Sequence, residues 1–234
     1  MTRGDLFNIN ACICAELATF IALNAPEATV LVISNPVNST VAVFKEIFVK
    51  HGVFDAKKLF GVTALDHVRS NTFLSELIEG TLPQHYDIPV ILNDENILDA
   101  LIHRVQYGGD EVVEAKQGKG SSTLSMAYAA NKFFNIVLNG YLNLKQTELA
   151  SYIYLDNAIP GVTELKRDLK PLLDAQHLDM PEFLATPMTY GPEGVATVDY
   201  TWVNAMNNKE REMFYIATGF INQNVEKGVS FVKA

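Results

Sequence analysis

The chain has 234 residues, enough for one large domain or two small ones and for a substantial buried core. Hydrophobic residues make up 48% and charged residues 19%, the composition of an ordinary soluble globular protein. A net charge of -9 and a pI near 5.0 argue against nucleic-acid and anionic-membrane partners, since both would select a basic patch.

Residues 5–24 read as an apolar helix. Its run "ACICAELATFIALNA" is interrupted by Glu16 and falls short of the ~20 apolar residues that span a bilayer, so a buried helix is expected. Cys12 and Cys14 lie two apart and point to different sides of such a helix. The loop between them is too small for an ordinary structural disulfide, which fits a reducing, intracellular compartment. No basic n-region with an apolar core and a cleavage site opens the chain, so no signal peptide is expected.

"ATVLVISNP" follows, a β-branched run without alternation, as in a central parallel strand buried on both faces. It stops at Asn35-Pro36, because proline cannot donate to a ladder. A second helix is expected over 37–51, closed by Gly52. "KLFGV" reads as a short strand, the stretch "TALDHVRSN" opens a third helix, and "DIPVI" reads as another strand. Two long helical patterns follow at about 93–115 and 121–139, separated by "KQGKGSS".

Beyond residue 140 the texture changes. "TELASYIYL" and "GVATVDYTWV" read as antiparallel strands, with "GPEG" as a turn, and "KEREMFYIATGFINQNVEKGVSFV" as a closing amphipathic helix. Residues 156–187 hold four of the nine prolines and read as an excursion of turns and short helices. One junction is odd: "DIPVI" runs straight into "LNDENILDALIHRV" without turn chemistry, where a strand needs ~2–6 residues to reach a helix. Further residues are therefore expected between Ile91 and Leu92.

Three places could carry chemistry. In "TALDHVRSN", Thr63 and Asp66 have capping-box spacing, and Asp66 and Arg69 are three apart on one helical face. A cap, a surface ion pair and half of an active site all fit this pattern. Asn35 stands at the carboxyl end of a strand, where open parallel sheets place ligands; the alternative is a plain Asn-Pro turn. Arg3, ahead of the first helix, is either a solvated loop arginine or a ligand contact. "QGKGSS" lacks the spacing of a phosphate-binding loop, and no G-x-G-x-x-G occurs. No pair among His51, His67, His85, His103 and His177 has metal-ligand spacing on one helical face, so no metal is expected.

The stretches "MTRGDLFNINA", "ISNPVNSTVAV", "KLFGVTALDHVRSNTFLSEL", "GGDEVVEAKQGKGSSTLSMAYAA" and "EKGVSFV", in this order, resemble the lactate/malate dehydrogenase family, in particular its NAD-dependent malate dehydrogenases of mitochondrial and bacterial type. The resemblance is clearest up to Asn139 and weak across 156–187, which look like an insertion. It implies an α/β fold: the remainder of a Rossmann-type parallel sheet over 1–62, closing a dinucleotide-binding domain, then an α+β substrate domain with antiparallel strands over 63–234. It implies reversible oxidation of malate to oxaloacetate with NAD. Arg69 matches the arginine that grips the substrate carboxylate, and Asp66 the carboxylate that orients the catalytic histidine. Arg3 matches a loop arginine that polarises the substrate carbonyl, and Asn35 the asparagine that holds substrate and nicotinamide in register. Asn10, Ser122 and Met126 match cofactor-side positions. A homodimer built on the apolar helices 5–24 and 64–79 is implied as well.

Two departures accompany the resemblance. The family's glycine-rich βαβ half and a second loop arginine would lie ahead of Met1. Its Gly-Gly-His segment would follow "PVI", at the junction already singled out, so no histidine is assigned a catalytic role. Two other readings stay open: a truncated, non-catalytic paralogue that dimerises, and a dehydrogenase for another 2-hydroxy acid. Direct pairing of Asp66 with Arg69 is not the expected arrangement, except where the missing histidine leaves the acid free for it.

Overall fold

The computed structural model describes residues 3–81, 94–117, 122–144 and 147–233. The expected strand at 87–91, the junction at Ile91–Leu92, and His85 lie outside them. The chain divides into two compact units, one of residues 1–62 and 133–234, the other of residues 63–132.

The first unit opens with α1 (Arg3–Asn24), β1 (Val30–Val32), α2 (Val37–His51) and β2 (Leu59–Gly61). Gly52 ends α2 at φ 72°, with its N–H on the Val49 carbonyl and the Val53 N–H on that of Phe48. A left-handed residue closed by these two bonds is the stop that glycine permits. β1 and β2 pair in parallel, Val30 with Leu59 through Val32 with Gly61.

The later part of this unit adds β3 (Leu149–Tyr154), β4 (Phe183–Gly191) and β5 (Gly194–Val198), antiparallel in sequence order across one five-stranded sheet. Gly61 pairs with Tyr152, and the buried Ser151 hydroxyl donates to the Gly61 carbonyl at 2.9 Å, closing the seam between the parallel and antiparallel halves. A 13-residue helix (Val162–Asp174), a helical turn (Trp202–Ala205) and a 26-residue helix (Asn208–Lys233) also belong here.

The core lies between α1, α2 and the 26-residue helix. It is built from Phe7, Ala11, Val41, Phe44, Phe48 and Val225, with Tyr152 and Phe183 reaching in from the sheet. Gly228 sets the spacing: a Cβ there would stand 2.3 Å from the Ser39 carbonyl oxygen and 2.9 Å from Ala42 Cβ.

The second unit holds α3 (Ala64–Thr81) and α4 (Glu95–Ala115), and α5 (Leu124–Tyr141) begins in it. Asp94 caps α4, accepting from the Asn96 and Ile97 N–H groups at 3.0 and 3.3 Å. With the helices that follow, the 13-residue helix is α6, the short turn α7 and the last helix α8.

Several expectations need correction. β1 is an edge strand among the described residues, with Val32 buried but Ile33 46% exposed, rather than a central strand buried on both faces. α1 is not buried all round. Phe7, Ala11, Cys14, Ala18 and Ala22 face the core, while Ile9, Ile13, Leu17, Phe20 and Leu23 lie exposed on the opposite side. Its window Phe7–Asn24 is long and apolar enough to cross a membrane, because both of its faces are apolar.

The stretch 156–187 is no excursion. It contains α6, with Val162, Leu165, Leu169 and Leu173 buried, and the start of β4. Pro187 hides that strand from a reading of the sequence, since proline normally marks an edge or a bulge. It pairs opposite Ala150, close to a register shift at Thr189/Tyr190. Conversely, the strand expected to run through Val203 ends at Val198. There the Asp199 carboxylate accepts from the Thr201 N–H and hydroxyl at 2.8 and 2.7 Å and turns the chain into α7.

Candidate functional site

In the first unit, the segment between β1 and α2 carries Asn35, and the Asn35–Pro36 bond is cis. Asn10, from α1, donates through Nδ2 to the Asn35 carbonyl at 2.6 Å. The buried Thr40 hydroxyl, from α2, donates to the Ser34 carbonyl at 2.7 Å. Ser39 and Thr40 donate their N–H groups to the Pro36 carbonyl, both at 3.0 Å. The backbone at the strand end is thus satisfied by the two flanking helices. The Asn35 side-chain amide stands exposed, with no hydrogen-bond partner among the described residues. The Cys14 thiol, buried beside Ser34, is pushed above its ordinary range by that burial, which leaves it an inert packing group. Arg3 opens α1 rather than preceding it on a loop.

In the second unit, Asp66 and Arg69 sit in the first two turns of α3. Arg69 is largely covered, its side chain 16% exposed, and Nη1 donates to Asp66 Oδ1 at 3.3 Å. Direct pairing of the two, not the expected arrangement, is therefore what the fold adopts. The other arm, Nη2, donates to Ser122 Oγ at 3.3 Å, so Arg69 and Ser122 come together across 53 residues of sequence. Met126 lies half-buried in the first turn of α5.

The seat of Arg69 was not read from the sequence. Gly108 and Gly109 lie in the middle of α4, and a Cβ on Gly108 would stand 3.4 Å from Arg69 Cδ and Nε. One on Gly109 would stand 3.4 Å from Arg69 Nη2. The guanidinium therefore lies along a shelf of bare backbone. The signal was available: two glycines inside a helical pattern cost ~1 kcal/mol each relative to alanine, which calls for a packing reason. Further along the same pair of helices, Arg104 stacks 4.0 Å over the Phe73 ring and bridges Glu76 and Glu111 at 2.9 and 3.3 Å.

Surrounding protein pushes the Asp66 carboxyl above the ordinary carboxylate range more strongly than Arg69, and then His67, draw it down. This holds although its outer edge meets solvent, the side chain being 66% exposed. Chemically, the second unit offers a planar two-armed cation with an acid at one arm, and the first offers a free amide at a strand end. The former suits a carboxylate. The latter suits a ligand needing one donor and one acceptor.

Residues 1–61 match the family model described as lactate/malate dehydrogenase, NAD binding domain. Residues 91–232 match that of the lactate/malate dehydrogenase alpha/beta C-terminal domain, a span that includes the supposed insertion. The chain is 39% identical to the mitochondrial malate dehydrogenase of Saccharomyces cerevisiae, across 99% of this chain and 69% of that protein. It is equally 39% identical to the cytoplasmic malate dehydrogenase of the same yeast, with the same two coverages. Among solved structures, Cryptosporidium parvum malate dehydrogenase superposes with a TM-score of 0.71 at 21% identity, over 98% of this chain and 72% of that one, a likeness of fold. With both of its halves matched, the chain belongs to the lactate/malate dehydrogenase family.

Proposed function

We propose that this protein interconverts malate and oxaloacetate by hydride transfer with NAD. The observation that carries the substrate half is Arg69, whose two arms are held by Asp66 and Ser122. A substrate carboxylate takes these two arms bidentately, in a geometry that lysine lacks. Arg3 polarises the substrate carbonyl as charge develops on it. Asp66 is the acid that orients a histidine; none of the five histidines of this sequence lies in a Gly-Gly-His segment, and proton transfer is assigned to none of them.

NAD, when bound, supplies the hydride acceptor and donor at C4 of its nicotinamide. The residues present fit the nicotinamide end of that group. The Asn35 amide offers a donor and an acceptor at the carboxyl end of β1, and exposed Ile33 gives an apolar surface beside it. Asn10 in the first unit, and Ser122 and Met126 in the second, are assigned to the cofactor as well. A G-x-G-x-x-G turn for the pyrophosphate does not occur in the 234 residues. Residues 1–62 act as the closing part of the nucleotide-binding domain and 63–234 as the substrate domain, a division supported by the spans of the two family models.

The protein works as an intracellular homodimer, in the mitochondrial matrix, another organelle or the cytoplasm, without nucleic-acid or membrane partners. Ile9, Ile13, Leu17, Phe20 and Leu23 support the dimer, as they form one exposed apolar stripe along α1, which water alone does not favour. The test is titration of the protein into NADH, followed by nicotinamide fluorescence, then rates on oxaloacetate, pyruvate and an aromatic 2-oxo acid. NADH binding with a preference for oxaloacetate is expected. Absence of NADH binding would mark a non-catalytic dimerising subunit, and preference for another 2-oxo acid would change the substrate.

A further inference from the structure

The consecutive carbonyls of Ser34, Asn35 and Pro36 are each held, and two of the donors are side chains from different helices. Thr40 Oγ1 could bond back along its own helix, as threonines in helices usually do. Its shorter bond, 2.7 Å, instead leaves the helix for the Ser34 carbonyl, against 3.3 Å to that of Val37. Asn10 Nδ2 is committed to the Asn35 carbonyl at 2.6 Å. That bond occupies a donor the amide would otherwise offer to a ligand. Both bonds act on the backbone of Asn35 or of its neighbour, and the Asn35 side chain is left exposed.

We infer that Asn10 and Thr40 are positioning residues that fix the backbone of Asn35 from two sides, so that its side-chain amide is held ready for the cofactor. The inference rests on the reading of Asn35 as a nicotinamide contact. It moves Asn10 from direct contact with the cofactor to action through Asn35. A rigid amide binds with less loss of freedom than one that must be ordered on binding.

The experiment compares Asn10→Asp, Thr40→Val and Asn35→Ala, singly and in pairs, by NADH titration with nicotinamide fluorescence. Side-chain amide NMR of the free protein is recorded in parallel. Asn10→Asp keeps the shape but sets an acceptor against the Asn35 carbonyl, and Thr40→Val removes only the hydroxyl. Each is expected to weaken NADH binding about 5- to 10-fold, the loss of one net hydrogen bond. Neither is expected to weaken it further in the Asn35→Ala background, because the three act as one unit. In the free protein, Asn10→Asp broadens or shifts the Asn35 side-chain amide resonance. Additive losses with Asn35→Ala, or an unmoved Asn35 resonance, overturn the inference. A wild-type protein that binds no NADH overturns the cofactor reading instead, and the free-protein resonance still decides whether Asn10 sets the Asn35 amide.

Discussion

The two compact units hold themselves together by different means. In the first, α2 buries Ser39 through Phe44 together with Ile47 and Phe48, so that almost every side of the helix is dry. In the second, two arginines lie between α3 and α4: Arg104 on Phe73 between two glutamates, and Arg69 along the Gly108–Gly109 backbone. Dispersion and burial fix the first unit at high packing density. Ion pairs with a solvent-exposed partner contribute ~0–1 kcal/mol each, so the second unit gains less stability from these contacts. Substitutions of similar size should therefore register as stability in the first unit and as ligand affinity in the second.

The largest effect is expected from Gly228→Ala in the first unit. Its new Cβ would meet the Ser39 carbonyl oxygen at 2.3 Å, which forces α8 away from α2. A loss of about 3 kcal/mol in unfolding free energy is expected, at the upper end of overpacking costs. Urea denaturation measures it; a loss below ~0.5 kcal/mol would mean that the helices are not clamped there. In the second unit, Arg69→Lys should leave unfolding nearly unchanged while weakening the dicarboxylate about 30-fold, or ~2 kcal/mol, the worth of one charged hydrogen bond. Calorimetric titration with oxaloacetate reads that loss, and an unaltered affinity removes Arg69 from the substrate site.

The difference between the units also decides what could be read from the sequence. In the first unit α1, α2, β2, β3 and α8 follow from apolar spacing and terminators such as Gly52, all local signals. The start of β4 within 156–187 was lost, because Pro187 contradicts a strand locally and only pairing with Ala150 overrides it. The end of β5 was overrun, because the β-branched and aromatic run continues through Val203 while the Asp199 side chain stops the strand. In the candidate site, the i,i+3 relation of Asp66 and Arg69 is visible from spacing alone. The contacts of Arg69 with Ser122 and with Gly108–Gly109 are not, since they depend on packing between helices distant in sequence. Asn10 was found through resemblance, but its bond to Asn35 spans 25 residues and needed the fold.

A smaller effect in the first unit runs in the opposite direction. Tyr152 is 1% exposed and stacks on Phe183, yet among the described residues its hydroxyl finds no hydrogen-bond partner. Burial therefore pushes its ionisation far above the ordinary tyrosine range. An unsatisfied buried hydroxyl costs ~1–3 kcal/mol, part of which the smaller phenylalanine recovers. Tyr152→Phe should raise the unfolding free energy by about 1 kcal/mol in urea denaturation, and a loss of that size would reveal a partner for the hydroxyl.

The smallest effect belongs to Asp66 and is read as a slope. The fold holds its carboxyl above the ordinary value of 3.8, chiefly through desolvation, with Arg69 opposing. The native state then keeps the proton more tightly than the unfolded chain does. The stability contributed by Asp66 is fully present below 3.8 and is lost as pH rises through the raised value. Asp66→Asn has no proton to lose, so its stability relative to wild type should improve as pH climbs through this window. Parallel urea denaturations at steps of pH, at low and high salt, measure the trend. A relative stability that worsens with rising pH would mean that Arg69 outweighs desolvation. The Asp66–Arg69 contact within "TALDHVRSN" would then be a stabilising ion pair, where a carboxyl held above its ordinary value gains less from Arg69 than it loses by desolvation.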